Sequence, residues 1–311
     1  EMGFGIPYEY CAIIMAMLTA VYVILGGYKA TAINDFIQGI IMLFGITTVI
    51  AVVLQNQGGL VAAVDKMCGA VPTAHDLEDK SGLFANFHPG DFASWFGPNP
   101  LSLLGVVILT SLGTWGLPQM VGKFYSITDE SAIKRGTVIS TVFALIVSGG
   151  CYFLGGFGKL YKNEMIAGGY ISSNGAVMYD KVIPTMLGDL APIIVAIVIV
   201  LVLSASMSTL SSLVLTSSST LTLDVIKPAV SKKKEFSDKK SVFIMRLFIV
   251  FFIALSAIIA ILKDTAWKDS VFIAQMMGVS WGALAGAFLA PFLYGLFWKK
   301  GTRAAVVSCF I

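Results

Sequence analysis

Seven stretches of this chain stay apolar for about the length needed to cross a hydrocarbon core, roughly 20 residues in a helix. They run over 8–25, 32–55, 100–122, 136–158, 190–224, 242–262 and 270–298. Within lipid each backbone polar group must be satisfied inside its own segment, so such runs are read as helices. The fold class that follows is an all-α polytopic membrane protein of about seven spans. With 57% hydrophobic and 13% charged residues among 311, the composition excludes an ordinary soluble domain. The chain opens at Glu1 without a basic leader and stops at Ile311 inside "AAVVSCFI", which predicts that residues 1–311 are part of a longer membrane domain.

Charge gives an orientation. When alternate connections are grouped, fourteen Lys and Arg fall on one side and seven on the other, so the first side, with "SKKKEFSDKK", is expected to face the cytoplasm. Short cationic loops of this kind are topological signals and imply no nucleic-acid partner. The connection over 56–99 is then an extracellular loop, and its "HPGDFASWFGPNP" has the aromatic and turn content of a membrane-lying or capping segment. A second external loop, "AGGYISSNGAVMYDKVIP", joins the fourth and fifth spans. His75 and His88 both lie in the long loop, so no span holds an imidazole, and Cys11, Cys68, Cys151 and Cys309 show neither disulfide nor metal spacing.

Inside the spans two features carry chemistry. Asp35, in "GGYKATAINDFIQ", is the one carboxylate placed clearly within a span, where a charge costs on the order of 2.5 to 3.5 kcal/mol at the bilayer centre. Such a residue marks an ion path or a paired site; the competing role is capping of the helix start just after Thr31. The fifth span carries twelve Ser or Thr between Ser204 and Thr222, of which Ser204, Ser208, Ser211 and Ser212 share one face and Thr209 flanks it. Hydroxyls can serve close helix packing, yet their density here exceeds what packing requires. A surface of neutral oxygens with at most one carboxylate suits a hard monovalent cation.

The third span, "LLGVVILTSLGTWGLPQMVGKFYSI", is interrupted by Gly113, Gly116 and Pro118, which predicts a kinked or broken helix of the kind that forms transporter binding sites. In the seventh span, Gly278, Gly282 and Gly286 recur every four residues ahead of Pro291, which predicts close packing of a neighbour, with Trp281 as a cavity wall.

Three blocks resemble the sodium/solute symporter family, in particular its sodium/proline and sodium/pantothenate branch. "GGYKATAINDFIQ" is similar to the family's Gly-Gly, Ala, Asp and Gln pattern, "GLPQMVGKFYSI" to its Gly-x-Pro-His-x-x-x-Arg-Phe block, and "ASMSTLSSLVLTSSSTLTLDVIKP" to its second signature. The resemblance implies a fold of two inverted five-helix repeats plus extra helices. In it, this chain runs from the fourth to the tenth core helix and the start of the next, and the missing N-terminal helices are its natural partners. It further implies a conserved sodium site using the Ala205 carbonyl and the Ser208 and Thr209 hydroxyls, completed by the absent first helix. A second sodium site would use Asp35, Ser208, Ser211 and Ser212. Trp115, Gln119 and Trp281 are the implied substrate-lining residues. Gln119 stands where the proline-carrier block has His, and Lys123 where it has Arg, so the block does not by itself imply proline as cargo.

The expected function is sodium-driven uptake of a small organic solute, an amino acid such as proline or a carboxylate, by alternating access across the plasma membrane. Sodium is the coupling ion and no other cofactor is implied. A proton-coupled carrier or a sensor of the same fold is the alternative. An intramembrane enzyme would need a base beside its nucleophile, and a channel would need a repeated pore segment or charged rings; the sequence offers neither.

Overall fold

The computed structural model describes residues 6–70, 88, 90–97, 99–124, 127, 129–170, 178–188, 190–231, 237–265 and 273–310. Most of the 56–99 loop including His75, residues 171–177 of the second external loop and residues 232–236 of the lysine run lie outside them. All regular structure among the described residues is helical.

The first helix, α1 (Tyr8–Asn56), is two spans in one, because Gly27 at φ 57° and ψ −157° breaks it into arms over 8–26 and 28–56. That backbone conformation is one essentially only glycine adopts. One turn into the second arm, Thr31 donates its hydroxyl back to the Gly27 carbonyl at 2.8 Å. After Gly58 and Gly59, both at positive φ, comes α2 (Leu60–Cys68). Helices α3 (Pro100–Ser111) and α4 (Pro118–Phe124) form one span bent by 51°, joined by a 3-10 turn at Gly113–Gly116. The next are α5 (Glu130–Gly156), α6 (Lys162–Ala167) and α7 (Val182–Gly188). Helix α8 (Pro192–Thr220) runs through a π-helical turn, Leu221–Ile226, into α9 (Lys227–Ser231). The chain closes with α10 (Asp238–Thr265), α11 (Ile273–Phe297) and the short α12 (Arg303–Ser308). Among the described residues five helices are long and apolar enough to span a membrane, and the bent α3–α4 pair is a sixth. Counting the two arms of α1 separately gives the seven spans read from the sequence.

The chain divides into two compact units, one of residues 1–46 and 191–270, the other of 47–190 and 271–311. In the first unit, Ala16 and Val23 of α1, Val214 of α8, and Ile249 and Ile253 of α10 form a buried cluster, flanked by Leu210, Met245 and Phe252. The second arm of α1 meets α8 where Gly45 lies against Leu201, so closely that a Cβ at Gly45 would sit 2.6 Å from the Leu201 Cδ1. Its outward residues Ile33, Phe36, Ile37 and Ile40 are exposed, as lipid-facing side chains are. Lys227 and Asp238 pair at 3.4 Å at the start of α9 and α10, an exposed contact worth at most about 1 kcal/mol.

In the second unit the α3–α4 break packs on α11. A Cβ at Gly116 would lie 2.6 Å from the Leu289 amide nitrogen and 2.7 Å from its Cα, and one at Gly113 3.1 Å from the Ala285 Cβ. The break is therefore fixed by backbone contact as well as by Pro118, which lacks an amide proton. The close approaches on α11 come from these two glycines and not from Gly278, Gly282 or Gly286, where a Cβ would meet nothing within 4 Å among the described residues. The starts of α3 and α5 are capped by side chains: Asn99 accepts from the Ser102 amide at 2.9 Å, and Asp129 from the Ala132 amide and the Ser131 hydroxyl, each at 2.7 Å. Gln57, at the end of α1, donates to the Tyr161 hydroxyl at 3.1 Å and accepts from Lys66 at 3.0 Å. In the long loop, Trp95 and Phe96 project outward beside a 3-10 turn at Asp91–Ala93.

Candidate functional site

The oxygen-rich face of α8 forms because serine and threonine can discharge their protons on the preceding turn of their own helix. Thr209 donates to the Ala205 carbonyl and Ser211 to the Ser208 carbonyl, both at 3.0 Å. Farther along, Ser218 donates to Leu215 at 3.0 Å and Ser219 to Thr216 at 2.9 Å. Each hydroxyl so engaged turns its lone pairs away from the helix axis, which makes an acceptor surface out of a donor-acceptor sequence. Ser204, Ser211, Ser218 and Thr222 are buried, Ala205, Ser208 and Ser212 half-buried, and Thr209 exposed.

Both arms of α1 present polar groups to the interior of this unit. On the first arm, Thr19 is fully buried and Tyr22 half-buried; on the second, Thr31, Asn34, Asp35 and Gln38 recur at i, i+3, i+4 and i+7, with Thr31 and Gln38 buried and the other two half-buried. The Tyr22 hydroxyl donates to the Met207 carbonyl of α8 at 3.1 Å. Ser211, Asn34 and Thr19 are neighbours of the same hydroxyl, and Asp35 lies within electrostatic range of it. Asp35 and Ser211 thus share Tyr22 as a neighbour, and Ser208 lies one turn away on the same helix. Capping does not account for Asp35, because the second arm begins directly after Gly27 and Asp35 falls two turns in, beyond reach of the unbonded first-turn amides. Three buried polar atoms, the Asn34 Nδ2, the Gln38 Oε1 and the Thr222 Oγ1, have no hydrogen-bond partner among the described residues. A buried acceptor left unmet costs about 1–3 kcal/mol, so Gln38 has capacity for a ligand.

Tyr22, Asn34 and Gln38 were not among the site residues expected from the sequence, although Gln38 closes the first family block. The i, i+3, i+4, i+7 polar stripe on the second arm was the available signal, since a membrane helix with polar residues on one face turns that face to protein. Tyr22 left no such trace, as its partner is 185 residues away.

In the second unit Trp115 sits in the 3-10 turn, exposed; Gln119 in the first turn of α4 and Trp281 on α11 are half-buried. Trp281 lies one turn before Ala285, which packs on Gly113 at the same helix break that holds Trp115.

Comparison with known proteins gives these arrangements a context. The chain is 27% identical over 310 residues to the sodium/proline symporter of Staphylococcus aureus, covering 99% of this chain and 54% of that protein. It is 27% identical over 311 residues to the sodium/pantothenate symporter of Escherichia coli (strain K12), covering 100% and 58%, and 25% identical over 316 residues to the sodium/pantothenate symporter of Haemophilus influenzae, again covering 100% and 58%. The chain thus spans little more than half the length of these relatives. The model of one family, described as the sodium:solute symporter family, matches residues 1–311 from end to end, and with the broken membrane helices and the oxygen-lined α8 in agreement, the chain belongs to that family.

Proposed function

We propose that the full-length protein couples inward sodium movement to uptake of a small organic solute by alternating access. Membership of the family makes the chain part of a multi-pass plasma-membrane carrier rather than an enzyme. The reading is carried by one observation, the convergence of Asp35, Tyr22 and the back-bonded serines of α8 in a single unit. A sodium ion is stabilised by hard oxygens that replace its hydration shell, and one carboxylate neutralises its charge in low dielectric. Asp35 with Ser208, Ser211 and Ser212 supplies that set for a second sodium. Ala205, Ser208 and Thr209 supply half of the conserved one, the rest coming from the first core helix. The exposure of Thr209 supports a face left open for that helix.

On this reading the chain comprises the fourth to tenth core helices, with the substrate held at the α3–α4 break near Trp115, Gln119 and Trp281. An amino acid or a carboxylate is the cargo that the named relatives favour, their names citing proline and pantothenate. Binding of ion and solute to the same outward-facing state links their affinities by roughly 1–3 kcal/mol, the free energy through which a gradient drives uptake. The test is uptake of labelled proline, pantothenate, monocarboxylates, sialic acid and sugars by vesicles carrying the full-length protein, with and without a sodium gradient. Sodium-driven accumulation of one compound is the expected result; accumulation driven by a proton gradient alone would overturn the assignment.

A further inference from the structure

We infer that Tyr22 is the positioning residue of the Asp35–serine site: its phenol grips the Met207 carbonyl and so fixes the root of Ser211 against the two arms of α1. The inference rests on the proposed reading of that site as a sodium site. In an α-helix the Met207 carbonyl already receives the Ser211 amide, so the phenol at 3.1 Å becomes its second donor and attaches to α8 at the turn that carries Ser208 and Ser211. The phenol has one proton, and Met207 takes it. Its oxygen is left as an acceptor among Ser211, Thr19 and Asn34, at electrostatic range from the Asp35 carboxylate. Thr19 spends its own proton on the Met15 carbonyl at 2.9 Å, and Ser211 spends its proton on Ser208 at 3.0 Å. None of the three hydroxyls therefore offers its proton outward, which is the polarity a cation requires.

Tyr22 also precedes the Gly27 break by little more than one turn. Its ring flanks the apolar cluster of Ala16, Val23 and Val214. The ring anchors the first arm and the hydroxyl anchors α8, so one side chain ties the serine face to the segment that turns into the Asp35 arm. Loss of the hydroxyl alone leaves the packing and releases the alignment.

The test compares Tyr22→Phe, Asp35→Asn, Ser211→Ala and the Tyr22→Phe/Ser211→Ala double variant in the full-length protein reconstituted in vesicles. Sodium KM and maximal uptake are read at saturating substrate, and the sodium-induced rise in Tm is read without substrate. Tyr22→Phe is expected to raise sodium KM about threefold to tenfold, the worth of one hydrogen bond, with maximal uptake within about twofold and a smaller sodium-induced rise in Tm. The double variant is expected to be little worse than the poorer single one, since the two hydroxyls act on one turn. An unchanged sodium KM in Tyr22→Phe beside a raised one in Asp35→Asn would overturn the role of Tyr22 and leave the sodium site standing. Equal falls in uptake and stability without a KM change would reduce Tyr22 to packing and likewise overturn it. An unchanged sodium KM in Asp35→Asn would remove the site itself, and this inference with it.

Discussion

Asp35 and Gln38 show how little separates a structural polar residue from a functional one inside a membrane. Both project from the same stripe of the second arm, one turn apart, and the Gln38 Oε1 is buried at 5% exposure without a partner among the described residues. An acceptor in that state destabilises the sodium-free protein. Gln38→Met, which keeps the volume and removes the acceptor, is expected to raise Tm in sodium-free buffer by a few degrees, for about 1 kcal/mol recovered. Calorimetry or a fluorescence melt on the purified full-length protein reads it directly. Asp35→Asn keeps the shape and removes the charge, and is expected to raise sodium KM about tenfold or more in transport assays.

Outside the spans, Asp129 gives a pH-dependent term. Its Ser131 hydroxyl bond, then its Ala132 amide bond, hold the carboxyl below the usual carboxylate range. A group depressed in the folded state contributes stability that is present above its unfolded value, near 3.9, and lost as pH falls through the lower folded value. Acid destabilisation between about pH 5 and 3 is therefore expected to be shallower in Asp129→Asn, which caps without titrating, than in the parent; a melt series across that range measures the difference.

At the scale of elements the helix breaks carry the design, and each depends on a glycine for a different reason. Gly27 is required by its dihedral angles, Gly116 by the Leu289 backbone 2.6 Å from where a Cβ would stand. No rotamer change relieves a clash with backbone, so Gly116→Ala is expected to cost about 1–3 kcal/mol and to lower Tm accordingly. Gly282→Ala, where nothing among the described residues lies within 4 Å, is expected to be neutral or to stabilise by up to about 1 kcal/mol through helix propensity. Melts of the two variants side by side separate an element held by contact from one that merely contains glycine. The α3–α4 break was legible in the chain, because Gly113, Gly116 and Pro118 stand together. Its partner was not: the glycine series on α11 pointed to its own positions, whereas the contact is made by Ala285 and Leu289, whose identity says nothing about proximity.

For the whole molecule, the proposed coupling demands reciprocity. If sodium tightens substrate binding by some factor, substrate must tighten sodium binding by the same factor. Equilibrium binding of each to the full-length protein, with and without the other, is expected to give a factor of about 5 to 150, the same in both directions; a factor of about 1 would mean that the two do not share one conformational equilibrium. The number of spans, their helical nature and the existence of a break between residues 25 and 32 were determined by the sequence alone, because lipid admits no unsatisfied backbone and apolar length is a local property. The hydroxyl face of α8 was equally local, being a matter of spacing on one helix. What only the tertiary structure decided is which groups meet that face. Tyr22 and Met207 are 185 positions apart, and Asp35 belongs to the helix interior only because Gly27 restarts the arm where it does. Such contacts are set by the packing of α1, α8 and α10 around a shared apolar cluster, and no local pattern encodes them.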